Sequence, residues 1–108
     1  MTIRSGEFWV ANIPFTDQST SKKRPVLVLW LDGSDAVVAA VTSASPRSQT
    51  DVPLQEWQKA GLRLPSVVRL SRLDCLEQTL LIARLGVLTK TDASTLKRVW
   101  SRHITPQF

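Results

Sequence analysis

The chain has 108 residues, enough for one hydrophobic core and too few for two. It is 43% hydrophobic and 21% charged, which excludes a disordered segment, and its single cysteine excludes a disulfide scaffold. No apolar stretch approaches the ~20 residues of a membrane helix, and no signal-peptide core follows Met1, so one cytoplasmic domain over residues 1–108, without a membrane partner, is expected.

In chain order, Gly6 to Ile13 (GEFWVANI) is rich in aromatic and β-branched residues and reads as a strand ended by Pro14. Thr16 to Lys23 (TDQSTSKK) is a polar loop. Pro25 to Leu31 (PVLVLWL) is apolar at successive positions, which predicts a central strand covered on both faces. Pro25, as its first residue, need not donate to a ladder. Asp32-Gly33 marks a tight turn, and Ala36 to Thr42 (AVVAAVT) returns as the hairpin partner. A second polar loop covers Ser43 to Thr50.

Leu54 and Trp57, followed by Gly61, predict a short middle helix with a glycine C-cap. Ser66 to Leu70 and Thr79 to Leu88 read as further strands, with Gly86 a bulge or close-packing point. A last helix begins near Thr89, where Thr89 and Asp92 have capping-box spacing. Ala93, Leu96 and Trp100, with Val99, then share one helical face. Short strands with turn signals and little helix predict a mainly β fold, a compact antiparallel barrel.

Fourteen Lys and Arg against nine Asp and Glu leave a net charge of +5. The excess gathers in residues 47–72 and 84–103, which favours a polyanion or an acidic protein as partner. One cysteine and one histidine cannot make a metal cluster, and four isolated glycines make no phosphate loop, so no cofactor is expected. His103 reads as a surface residue of a terminal helical turn, and Cys75 as a small core or interface residue. Trp9, Trp30, Trp57 and Trp100 lie in apolar segments and read as packing residues. Any chemistry must rest on arginine, hydroxyls and carboxylates.

One ordered series of segments is informative. Gly6-Glu7-Phe8-Trp9-Val10 is followed by a polar loop and Arg24-Pro25-Val26-Leu27-Val28-Leu29. Then come Val41-Thr42-Ser43, Ala60-Gly61-Leu62, Pro65-Ser66-Val67-Val68-Arg69-Leu70 and Ala83-Arg84-Leu85-Gly86-Val87-Leu88. The series resembles the PemK/MazF family of toxin–antitoxin ribonucleases over nearly the whole chain. That resemblance implies a small SH3-like barrel with a C-terminal helix, usually a homodimer. It also implies metal-independent, sequence-specific cleavage of single-stranded RNA, by attack of a ribose 2′-hydroxyl on the adjacent phosphate. A cognate acidic antitoxin is the implied protein partner, and operator DNA is reached through the antitoxin complex.

Carried over by position, the resemblance makes Arg24, Thr42 and Ser43 the candidate catalytic residues. Arg24 matches the arginine that contacts the scissile phosphate, and a guanidinium fork suits phosphate oxygens. Thr42 and Ser43 match a hydroxyl pair beside it. Arg69 matches a basic position that some members use near the cleavage site. Lys22, Lys23 and Arg47, in the loops flanking these motifs, would suit neighbouring phosphates. Ser71, a further substrate-contact candidate beside Arg69, stands where some members have an aspartate, and Gln18 to Ser21 where others have a histidine or glutamate, so no general base is assigned. Two other readings stay open: a non-catalytic toxin of the same barrel, similar to a gyrase poison, and a basic nucleic-acid-binding module.

Overall fold

The computed structural model describes residues 2–14 and 20–108. Its strands are β1 (Glu7–Pro14), β2 (Ser21–Asp32), β3 (Asp35–Thr42), β4 (Asp51–Pro53), β5 (Val67–Glu77) and β6 (Leu81–Val87), and helix α1 covers Lys90–His103. All strand pairs are antiparallel, in one sheet of order β4-β5-β3-β2-β1-β6. The fold is mainly β with a C-terminal helix, as expected. The barrel is open, because the edge strands β4 and β6 do not pair with each other.

The apolar run of β2 is explained by its central place at Val26 to Val28, whereas Trp30 and Leu31 beyond them are exposed rather than covered. Leu27 packs with Phe8, Ala39, Val68 and Leu70 and with Leu96 of α1, whereas Val26 and Val28 join Trp9, Ala11 and Val38 in a second cluster. Alternate side chains of a strand leave on opposite faces, so a strand with a core on each side must be apolar throughout. The β2–β3 hairpin closes at Asp32↔Asp35, and Gly33 takes φ 60°, a conformation open to a residue without Cβ.

Several boundaries move. β2 starts at Ser21, four residues ahead of Pro25, because Ser21 to Arg24 pair with β1. Pro25 is therefore inside the strand. Pairing with β3 begins only at Val26↔Ala40, so at Pro25 the strand is locally an edge and a missing N–H is tolerated. β5 runs on to Glu77 after a bulge: Ala40 faces Arg69 and Ala39 faces Leu73, so Leu70, Ser71 and Arg72 have no β3 partner. That bulge interrupts the apolar alternation and hides the continuation in sequence. Part of the expected Thr79 strand is a 3-10 turn, Gln78–Leu80. β4, only three residues long, gave no signal.

The expected middle helix is a single turn. Ala60 N–H donates to Glu56 O, Gly61 N–H to Gln58 O and Leu62 N–H to Trp57 O, with Gly61 at φ 89°. The last two bonds and the left-handed glycine are the Schellman pattern predicted for a C-cap, applied to one turn. Residues 54–66, hereafter the strap, span the gap between β4 and β6. Leu54 N–H to Ser66 O closes its base at 2.9 Å. A Cβ on Gly61 would overlap the Leu85 carbonyl, and one on Gly86 would overlap the Ala60 carbonyl, so the two backbones touch directly. The bulge beside Gly86, where β1 pairing skips Leu85, lies at this contact.

Helix α1 supplies the third anchor. Thr89 caps it by accepting from Asp92 N–H, but Asp92 does not complete a reciprocal box. Its carboxylate, fully buried, accepts Gln55 N–H and Glu56 N–H at 2.9 Å each. A buried carboxylate needs such donors, and here they are the free N–H groups of the strap turn.

A second buried carboxylate ties the chain start to β6. Glu7 accepts from Arg4 N–H at 2.7 Å, Trp9 Nε1–H at 3.1 Å and Arg84 Nε–H at 2.7 Å. Burial pushes its carboxyl up, but these bonds and the Arg84 charge outweigh that and hold it below the usual value of 4.5. A lowered folded value stabilises the protein above the unfolded value, and the contribution fades as pH falls through the folded one. Glu7→Gln is expected to cost about 2 kcal/mol at neutral pH, because Trp9 Nε1 and Arg84 lose a charged acceptor. Denaturant melts between pH 7 and 3 check this: the wild-type loss of stability in acid should be shallower in the variant.

Candidate active site

Continuing the β2–β3 register past Val26↔Ala40 sets Arg24 across from Thr42, beyond the last paired residues. Pro25, between them and the ladder, can offer no N–H to extend it. The two strands part here and form one side of a cleft of about 480 Å3. Arg24 and Pro25 enter it from β2, Val41, Thr42 and Ser43 from the end of β3, and Val10 and Leu85 from β1 and β6. The opposite wall is the strap, from Gly61 through Leu62, Arg63 and Leu64 to Ser66.

The polar groups are poised for an anion. Arg24 and Ser43 are exposed and Thr42 half-buried. Thr42 Oγ1 accepts Ala44 N–H at 3.1 Å, which fixes the oxygen and leaves its own hydrogen free to donate. Among the described residues, Arg24 makes no salt bridge. No carboxylate or imidazole lines the cleft among those residues, so its charge is positive. A cationic fork and two hydroxyls at one opening can bind a phosphodiester and stabilise charge growing on its oxygens.

The other expected contacts lie outside this cleft. Lys22 and Lys23 are exposed on the part of β2 leading to Arg24, and the strand pleat puts Lys22 on the same side as Arg24. Residues 16–19 of the expected flanking loop are outside the described residues. Arg47 is exposed in the Ser43 to Thr50 loop, where its N–H donates to Asp51 Oδ2 at 2.8 Å. Arg69 is turned inward: its Nε sits 4.0 Å from Asp51, with 12% of its side chain exposed and no hydrogen-bond partner for that nitrogen. Ser71 is exposed in the β5 bulge next to it.

Arg63 and Ser66 line the cleft and were not among the expected site residues. Their signal was weak, since an arginine between Gly61 and Pro65 has no strand or motif position to give it direction. Cys75 is exposed, not a core residue. Desolvation, and then the carboxylates of Asp35, Asp32 and Asp74, push its thiol up, the reverse of an activated nucleophile. Trp9 is buried, but Trp30 is 43% exposed and meets Trp100 edge-to-face at 5.9 Å, on a second, apolar groove of about 710 Å3 between β2 and α1. His103 is exposed in the last turn of α1, as expected.

The sequence profile of PemK-like, MazF-like toxins of type II toxin–antitoxin systems matches residues 4–102. The chain belongs to this toxin family. No curated protein sequence matches the toxin significantly. Among solved structures, it is similar to Mycobacterium tuberculosis toxin MazF-mt6, with 22% identity, TM-score 0.74, and 94% of this chain and 99% of that one covered. It is also similar to an endoribonuclease in complex with its cognate antitoxin from a mycobacterial species, with 14% identity, TM-score 0.77, and coverage of 99% and 100%. A chain of the MazE-MazF crystal structure from Deinococcus radiodurans matches with 18% identity, TM-score 0.72, and coverage of 94% and 92%. At these identities the structural likeness speaks for the fold. The toxin also has no helix long and apolar enough to cross a membrane among the described residues.

Proposed function

We propose that the toxin is a metal-independent endoribonuclease that cleaves single-stranded RNA at the Arg24 cleft. The observation that carries this reading is the convergence of Arg24, Thr42 and Ser43 on one positively charged opening in a chain of this family. Arg24 grips the scissile phosphate, and the Thr42 and Ser43 hydroxyls donate to its non-bridging oxygens. The ribose 2′-oxygen bonds to phosphorus and the bond to the 5′-oxygen breaks. The 2′ proton passes to water and the 5′-oxygen takes one from water, since no described cleft residue is a carboxylate or imidazole. The products are a 2′,3′-cyclic phosphate and a free 5′-hydroxyl.

Lys22, Lys23 and Arg47 extend the positive surface toward flanking phosphates. Arg69, shielded beside Asp51 at the β4–β5 edge, stands apart from the cleft rather than gripping the scissile phosphate. The setting is the cytoplasm of a prokaryote, with residues 1–108 as one domain. The toxin works as a homodimer restrained by an acidic antitoxin, which also carries it to operator DNA. The fold it shares with chains solved in toxin–antitoxin complexes supports this, as does the apolar groove beside Trp30.

The test is incubation of purified toxin with defined single-stranded RNA oligonucleotides in EDTA, followed by end-group analysis. Cyclic phosphate and 5′-hydroxyl ends are expected. Ends bearing 5′-phosphate, or cleavage that stops in EDTA, would reject the mechanism. Intact RNA with inhibited DNA supercoiling would move the toxin to the gyrase-poison reading.

A further inference from the structure

We infer that Arg63 is a second phosphate ligand of the cleft, taking an RNA backbone phosphate next to the one that Arg24 holds; this rests on the function proposed above. Arg24 and Arg63 are the two cationic side chains lining the opening, and they stand on opposite walls, one on β2 and the other on the strap. Arg63 is exposed, and neither arginine makes a salt bridge among the described residues. Arg69, the basic position that sequence resemblance offered instead, is shielded, with its Nε 4.0 Å from the Asp51 carboxylate. A single strand has a phosphate at every nucleotide, so two cations lining one groove from different elements can take successive phosphates.

The backbone under Arg63 is built for positioning. Two residues earlier, Gly61 lies against Leu85 and Gly86 so closely that neither glycine could carry a Cβ. Three residues later, Ser66 O receives Leu54 N–H, and the Ser66 hydroxyl donates to Leu64 O at 2.7 Å. The arginine therefore projects from a segment pinned on both sides, which reduces the ordering cost of binding.

Binding is the direct readout, using a single-stranded RNA oligonucleotide whose 2′-hydroxyls are methylated so that it cannot be cleaved. Fluorescence anisotropy of Arg63→Ala is expected to show affinity about tenfold weaker than wild type. The slope of log affinity against log salt should fall by about 0.7, the share of one phosphate contact on a single strand. Arg98→Ala removes the same charge from an exposed position on α1 and controls for general electrostatics; its slope should stay at the wild-type value. Arg63→Lys should recover the slope and part of the affinity. In cleavage of unmodified RNA, Arg63→Ala should raise KM and leave kcat within about twofold, as loss of uniform binding does. Wild-type binding that Arg63→Ala leaves unchanged, or weakens no more than Arg98→Ala does, overturns the inference and leaves the Arg24 reading intact. Wild-type protein that binds no RNA overturns both. Circular dichroism of each variant establishes that it is folded.

Discussion

Arg24→Ala is expected to slow RNA cleavage about a thousandfold while the protein melts within roughly 2 °C of wild type. The two halves of this expectation have separate causes. Arg24 is exposed and makes no salt bridge among the described residues, so its loss leaves no buried group stranded. Its strand is secured instead by Pro25, Val26 and Leu27 paired with β1 and by the two clusters on either face. The chemistry has no such redundancy. Among the described residues, the polar groups beside Arg24 in the cleft are the neutral hydroxyls of Thr42 and Ser43, with Arg63 on the strap, so on the proposed reading none supplies a cation at the phosphate that Arg24 holds. Arg24→Lys should fall between, because an ammonium keeps the charge and loses the fork. Single-turnover cleavage of a defined oligonucleotide, with a thermal melt of each variant, reads both quantities. A full cleavage rate in Arg24→Ala would remove the cleft from the reaction.

Gly61→Ala is expected to cost about 3 kcal/mol or more, a fall in melting midpoint of roughly 15 °C. Two penalties coincide there. The φ of 89° is one that a residue with a Cβ rarely adopts, and that Cβ would overlap the carbonyl of Leu85, which is backbone and cannot rotate away. Gly33 supplies the comparison. It has φ 60° with nothing within 4 Å of its would-be Cβ, so Gly33→Ala carries only the conformational penalty, about 1 kcal/mol. The difference between the two variants in calorimetry or denaturant melts measures the strap contact itself. Equal losses at both sites would mean that the strap does not depend on close approach. Because residues 61–66 form one wall of the cleft, Gly61→Ala should also cleave more slowly at temperatures where it remains folded.

How much of this could be read from the sequence depends on whether a feature is local. The β2–β3 hairpin was legible because Asp32-Gly33 and the flanking apolar runs are contiguous, and Gly86 as a close-packing point was legible because a glycine inside an apolar strand needs a reason. The Thr89 cap was legible for the same local cause. The position of Arg24 across from Thr42 came from family resemblance, and the strand register is its physical counterpart. What stayed hidden is set by partners far along the chain. Ser21 to Lys23 are polar yet form a strand, because β1 offers them a ladder that composition does not show. Asp92 looked like a capping residue, but its acceptors are engaged by Gln55 and Glu56, thirty-seven and thirty-six positions earlier. Arg69 matched a substrate position, and only the Asp51↔Arg69 pairing across β4 and β5 reveals that it turns inward. Arg63 owes its place to a turn closed against a strand more than twenty residues ahead, which no window around it contains.

The anchorage of the strap has a consequence for the order of events during synthesis. The wall carrying Arg63 cannot settle until Gly86 has arrived to receive Gly61 and Asp92 has arrived to engage Gln55 and Glu56. A nascent chain that has already exposed Arg24 and Thr42 to the cell therefore holds only half a groove. On the function proposed above, late completion by distant residues delays cleavage until most of the polypeptide has been made.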